Sequence, residues 1–154
     1  MKSRILEALS AGIFVAAWLL AVQTIPALPR QVATHFGWDG VADGTGPAAL
    51  LWALPVIATA AYALMSLTRL IPSRSMNYPV TVTDQNREAV YALGREMLPA
   101  LKAGTILTIL GLEWSSIEGA VRGAMGPFYL DAILSPLVLT LAVTVYYTLK
   151  MRAA

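Results

Sequence analysis

Ile5-LEALSAGIFVAAWLLAVQT-Ile25 holds one carboxylate, Glu7, near its start and one amide, Gln23, near its end. A bilayer core about 30 Å thick is crossed by about 20 apolar residues at helical rise, and this stretch has that length. Three further stretches repeat the pattern. Pro47 to Ile71 is entered by Gly46-Pro47, with the proline expected at the first helical position, where a missing N–H costs nothing. Leu98 to Ile117 is the least pure, with Lys102 near one end and Glu113 near the other. Phe128 to Leu149 is again entered by Gly-Pro, Gly126-Pro127. The expected fold is an all-α integral membrane protein, a bundle of four transmembrane helices forming a single domain over residues 1–154.

Composition points the same way. The 154 residues are 57% hydrophobic and 13% charged, against roughly 25% charged in soluble chains. There is no cysteine, which excludes a disulfide framework and thiolate chemistry. The first span reads as a membrane helix and not as a secretory signal. Its apolar run exceeds the about 7–15 residues of a signal core, and no small-residue cleavage site stands near Gln23.

Nine of the 11 basic residues (Lys2, Arg4, Arg69, Arg74, Arg87, Arg95, Lys102, Lys150, Arg152) fall at the N-terminus, the second loop and the C-terminus. Arg30 and Arg122 fall on the other side. By the positive-inside rule both termini are expected in the cytoplasm. Trp18, Trp38, Trp52 and Trp114 then lie toward the outer half, where indoles suit the interface. Asp39, Asp43, Glu113, Glu118 and Asp131 make the outer side locally acidic. The basic residues border apolar spans and form no stripe of their own, so direct nucleic-acid contact is not expected.

Two connections are longer than a turn requires, since helix connections in bundles usually take about 2–8 residues. In the outer loop, 26–46, Gln31 to Phe36 is β-branched enough for a short strand. Asp39-Gly40 and Asp43-Gly44 are turn pairs, so a hairpin-like cap is expected. His35, Asp39 and Asp43 are candidate ligand-binding residues there. They include donors suited to a divalent cation, but their spacing fits no EF-hand, and no metal or cofactor is assigned. In the cytoplasmic loop, 72–97, Asn77-Tyr78-Pro79 is extended. Thr83 can cap a helix with Asp84 in its first turn, along which Val90, Leu93, Met97 and Leu101 recur at helical spacing. An amphipathic helix lying in the inner interface and bending near Pro99 is expected. Tyr78, Arg87, Tyr91 and Arg95 are its candidate partner-docking residues.

Within the spans, Glu113 is the acid set deepest, and a membrane carboxylate is a functional candidate by default. Two placements are open to it: snorkelling to the outer interface, or facing the bundle beneath the His35 loop. Pro55 and Pro136 are expected to interrupt the second and fourth spans. Ala58 to Ala61 and Gly104 to Gly111 carry small residues that allow close helix contact.

Leu28-Pro29, the run through Thr34-His35-Phe36-Gly37, and the Asp39-Gly40 and Asp43-Gly44 pairs resemble an outer-loop signature of a bacterial membrane domain of unknown function. That domain forms the N-terminal part of the SdpI-like immunity family. Asn77-Tyr78-Pro79-Val80, followed by Asn86-Arg87 and Tyr91-Ala92-Leu93, is similar to the family's second motif. The resemblance covers roughly Leu20 to Leu110. It implies a bacterial inner or plasma membrane protein, some relatives of which protect against a toxin or relay its presence to a cytoplasmic repressor.

The expected function is that of a non-enzymatic sensor or immunity-like protein. Its partners would be the lipid bilayer, a peptide toxin or other membrane protein outside, and a soluble regulator inside. Self-association into a homo-oligomer or a larger complex is compatible with it. The alternative is a small proton-coupled transporter or a membrane subunit. No nucleophile motif, zinc helix or nucleotide loop supports an enzyme.

Overall fold

The computed structural model describes residues 2–154, with the side chain of Lys2 (one of the basic residues counted above) outside the described set. The chain is mostly helical. Helix α1 runs Lys2–Thr24, α2 Ala53–Leu67, α3 Arg87–Arg122 and α4 Tyr129–Arg152; strands β1 (Gln31–Phe36) and β2 (Ala42–Pro47) lie between α1 and α2. Three segments are long and apolar enough to cross a membrane: Ser3–Ala27, Ala48–Leu70 and Tyr129–Arg152. Their outward faces are apolar. Leu137, Val138, Leu141 and Leu149 on α4, Leu9 and Leu19 on α1, and Leu64 and Leu67 on α2 are all exposed. So much contiguous apolar surface is suited to lipid and not to water.

Helix α3 is the hub of the molecule, packed on by α1, α2 and α4. Lys102 of α3 meets Glu7 of α1 and Ser66 of α2 at one end. At the other end Ile117 joins Ala21, Ile25 and Leu51 in the apolar core. Helix α1 is therefore parallel to α3 and α2 antiparallel. Gly104 abuts Thr140 and Gly111 abuts Ala132, so α4 is antiparallel too. The small residues of Gly104 to Gly111 thus sit where close approach was expected.

Several local expectations change. The amphipathic stretch and the third expected span are one unbroken helix of 36 residues, continuing through Pro99. Proline removes one backbone hydrogen bond, which does not end a helix held along its length by three neighbours. Helix α3 begins at Arg87, not near Asp84, and Thr83 and Asn86 make reciprocal bonds of the capping-box kind just before it, Thr83 N–H donating to Asn86 Oδ1 at 2.8 Å and Asn86 N–H to Thr83 Oγ1 at 3.4 Å. Helix α3 also carries Lys102 and Glu113 and is not among the segments apolar enough to qualify as a span. Pro47 ends β2 and precedes a 3-10 turn, Ala48–Trp52. Pro55 consequently falls in the first turn of α2, where it interrupts nothing.

The two strands form an antiparallel hairpin with irregular pairing around His35. Val32 and Ala33 are buried, and Val32 joins the core with Ile117 and Ala120 of α3. Asp39-Gly40 is a turn, with Gly40 at φ +75° and the Val41 N–H donating to Asp39 Oδ1 at 3.1 Å. Asp43-Gly44 is not a turn but part of β2. Gly44 is needed for proximity instead, since a Cβ there would lie 3.0 Å from His35 Cβ. The loop after α3 stitches onto the hairpin tip: Ala42 N–H donates to Gly123 O (3.0 Å) and Met125 N–H to Gly40 O (2.8 Å).

Candidate functional sites at the two ends of helix α3

At the hairpin end, β1 directs His35 outward and β2 brings Asp43 opposite, where His35 Nδ1 and Asp43 Oδ1 are hydrogen-bonded. Both side chains are exposed. With Phe36, Gly37 and Trp38 they border a shallow groove of about 350 Å³, and Trp38 is fully exposed. Asp39 is occupied by the turn and stands apart from the His35–Asp43 pair in role. Among the described residues no group of three His, Cys, Asp or Glu side chains is placed to hold a metal ion.

Residues 12–59 match a family model described as a domain of unknown function, DUF1648. The DUF1648 segment runs from Gly12 on α1 through the whole hairpin to Thr59 on α2, so it contains His35, Trp38, Asp39 and Asp43. Within it, Trp18 Nε1–H donates to Thr59 Oγ1 at 3.0 Å, joining the two helices that flank the hairpin. The segment excludes α3, and with it Glu113. No curated protein and no solved structure matches the chain.

Glu113 faces the bundle and not the outer interface. It is 0% exposed, on the α3 face shared with Ile106 and Ile117, and neither carboxylate oxygen has a partner among the described residues. It does not snorkel, because its side of α3 is covered by neighbouring helices. It is also separate from the His35 groove, which it does not line.

At the opposite end, the docking candidates are largely used within the chain. Tyr78 stacks on Tyr91 with ring centroids 5.4 Å apart and lies against Gly94, where a Cβ would meet Tyr78 Cε1 at 2.7 Å. Arg95 donates to Ser73 Oγ (3.0 Å), Arg69 O (3.2 Å) and Ile71 O (2.7 Å). These two residues fasten the 72–86 connection to α3. Arg87 is exposed and paired with Asp84 at 3.2 Å.

The sequence reading missed one cluster altogether. Glu7 is paired with both Lys102 and Arg69. Lys102 Nζ also donates to Ser66 Oγ at 3.2 Å and sits 4.6 Å from the centre of the Tyr62 ring. Lys102 is 2% exposed. The available signal was a lone cation and a lone anion, each a short way inside an apolar run, since charges within spans pair with one another.

Proposed function

We propose that the chain is a non-enzymatic multi-pass protein of a bacterial plasma membrane, of sensor or immunity type. In this reading α3 is a fourth crossing and both termini are cytoplasmic. The hairpin groove meets a ligand or peptide toxin outside, and the 72–86 connection presents a surface to a soluble partner inside. The supporting observation is the continuity of α3. Thirty-six residues at about 1.5 Å each make a rod of about 54 Å, longer than a bilayer core of about 30 Å. One end is packed against the hairpin, where Phe36 Cζ would lie 2.8 Å from a Cβ on Gly119. The other end holds the 72–86 connection through Arg95 and Tyr78. A rigid element joining two elaborated surfaces is a means of coupling them. The likeness of the hairpin signature to the SdpI-like family favours a toxin among the ligands.

The chain has no cysteine, so a single introduced thiol reports cleanly. Asn77→Cys is expected to react with a membrane-impermeant maleimide in inverted vesicles and not in intact cells. Adding Gly119→Val, which wedges Phe36 away from α3, is expected to speed that reaction several-fold. Labelling from outside, or a rate indifferent to Gly119→Val, overturns the reading.

Glu113 favours a second reading, the small proton-coupled transporter. A buried carboxyl with no partner costs about 1–3 kcal/mol and is kept where it serves function. Glu113→Leu is therefore expected to raise the thermal unfolding midpoint in detergent. Under the transporter reading it also abolishes proton-coupled uptake in proteoliposomes. A lower midpoint means that Glu113 has a stabilising partner; absence of proton-coupled uptake by the native chain removes the transporter, and uptake retained in Glu113→Leu removes Glu113 from its mechanism.

A further inference from the structure

Between the start of α1, the end of α2 and the Arg95–Lys102 stretch of α3 lies a cavity of about 430 Å³. Four cationic side chains, Arg4, Arg69, Arg95 and Lys102, line it against a single carboxylate, Glu7. Glu7 is already shared by Arg69 and Lys102. Arg4 has no ion-pair partner among the described residues. The cavity is thus left with a positive excess that no other acidic side chain among the described lining residues neutralises. A second, apolar cavity of about 300 Å³ adjoins it, sharing Thr68 and Leu98 and extending past Ile71 and Met97.

We infer that the larger cavity binds a phosphate-bearing anion, held by Arg4 and Arg69 over a floor formed by Lys102, with Arg95 as the positioning residue. Guanidinium groups pair with phosphate oxygens through two parallel N–H bonds, which a lysine point charge cannot reproduce. Arg95 already spends three of its five N–H donors on Ser73, Arg69 and Ile71, so it is anchored to the chain. It contributes charge, and through the Arg69 carbonyl it fixes the segment that carries Arg69. The shared chemistry fits an anionic phospholipid headgroup or a free phosphate compound. The adjoining apolar cavity suits the acyl chain that only the first would bring, and basic pockets between membrane helices are a known means of holding such lipids. This site lies at the far end of α3 from the hairpin and shares no lining residue with the hairpin groove.

The test uses the full chain purified in a neutral maltoside detergent and then moved into nanodiscs. Nanodiscs of phosphatidylcholine alone are compared with nanodiscs containing phosphatidylglycerol, and inorganic phosphate is titrated separately in detergent. Ligand binding to the folded state raises the unfolding midpoint. Phosphatidylglycerol is expected to raise it by several degrees in the native chain and in Arg152→Gln, a charge-matched control placed at the end of α4. The rise is expected to vanish in Arg4→Gln and to shrink in Arg69→Gln. A rise produced by inorganic phosphate and lost in the same two variants assigns the site to a soluble anion. No rise with either probe, or a rise equal in Arg4→Gln and the native chain, overturns the inference.

Discussion

Glu7→Gln is expected to be among the most destabilising single substitutions in the chain. It removes the carboxylate from beside Lys102, whose side chain is 2% exposed, and leaves the Tyr62 ring and the Ser66 hydroxyl as its remaining partners. Stranding one member of a buried ion pair usually costs about 3–5 kcal/mol. Lys102→Met is expected to cost less. Glu7 keeps Arg69 there, and an unbranched apolar chain of similar length refills the space. The double variant Glu7→Gln/Lys102→Met is expected to recover most of the loss, because a buried pair replaced as a whole is often close to neutral. Thermal unfolding of the purified variants in one detergent measures all three. An order in which Lys102→Met is worse than Glu7→Gln, or a double variant worse than either single, contradicts the pairing.

Gly111→Leu is expected to detach α4 from α3. A Cβ on Gly111 would fall against the carbonyl oxygen of Ala132 and lie 2.8 Å from its carbon. Those are backbone atoms of the neighbouring helix, so no rotamer change relieves the contact, and the helices must separate. The cost is expected at or above the upper end of the about 1–3 kcal/mol typical of overpacking. Gly104→Ala is the useful contrast. Its new methyl meets the side chain of Thr140, which can turn away at the expense of the 2.8 Å bond it donates to Pro136 O. The expected order is therefore a large fall in unfolding midpoint for Gly111→Leu and a modest one for Gly104→Ala. Equal midpoints for Gly111→Leu and the native chain refute the close approach.

Much of the architecture was legible in the residues. Strand β1 occupies Gln31–Phe36 as its β-branched composition suggested, and α1 and α4 cover the first and fourth expected spans. Strand β2 was not legible. Its sequence, Ala-Asp-Gly-Thr-Gly-Pro, has little strand propensity, and it is extended because β1 on one side and the loop after α3 on the other provide its hydrogen-bond partners. The length of α3 was obscured by Pro99, which reads locally as a bend and is overridden by packing along the whole helix.

The candidate sites divide in the same manner. His35 and Asp43 were picked out by residue type, and the irregular pairing around His35 brings them together. Asp39 is absorbed by its turn, and Tyr78 and Arg95 bind the chain to itself. The basic cavity escaped notice because its four cations come from three helices and were read as a topology signal, one helix end at a time.

The sequence by itself determined that long faces of this protein are suited to hydrocarbon, because transfer free energy adds residue by residue and needs no knowledge of neighbours. Only the tertiary structure decided which polar groups inside those runs are partnered. Lys102 meets Glu7 from 95 positions away, whereas Glu113 meets no polar partner among the described residues. That difference depends on which helix lies alongside and at what height, a lateral relation that no local pattern encodes.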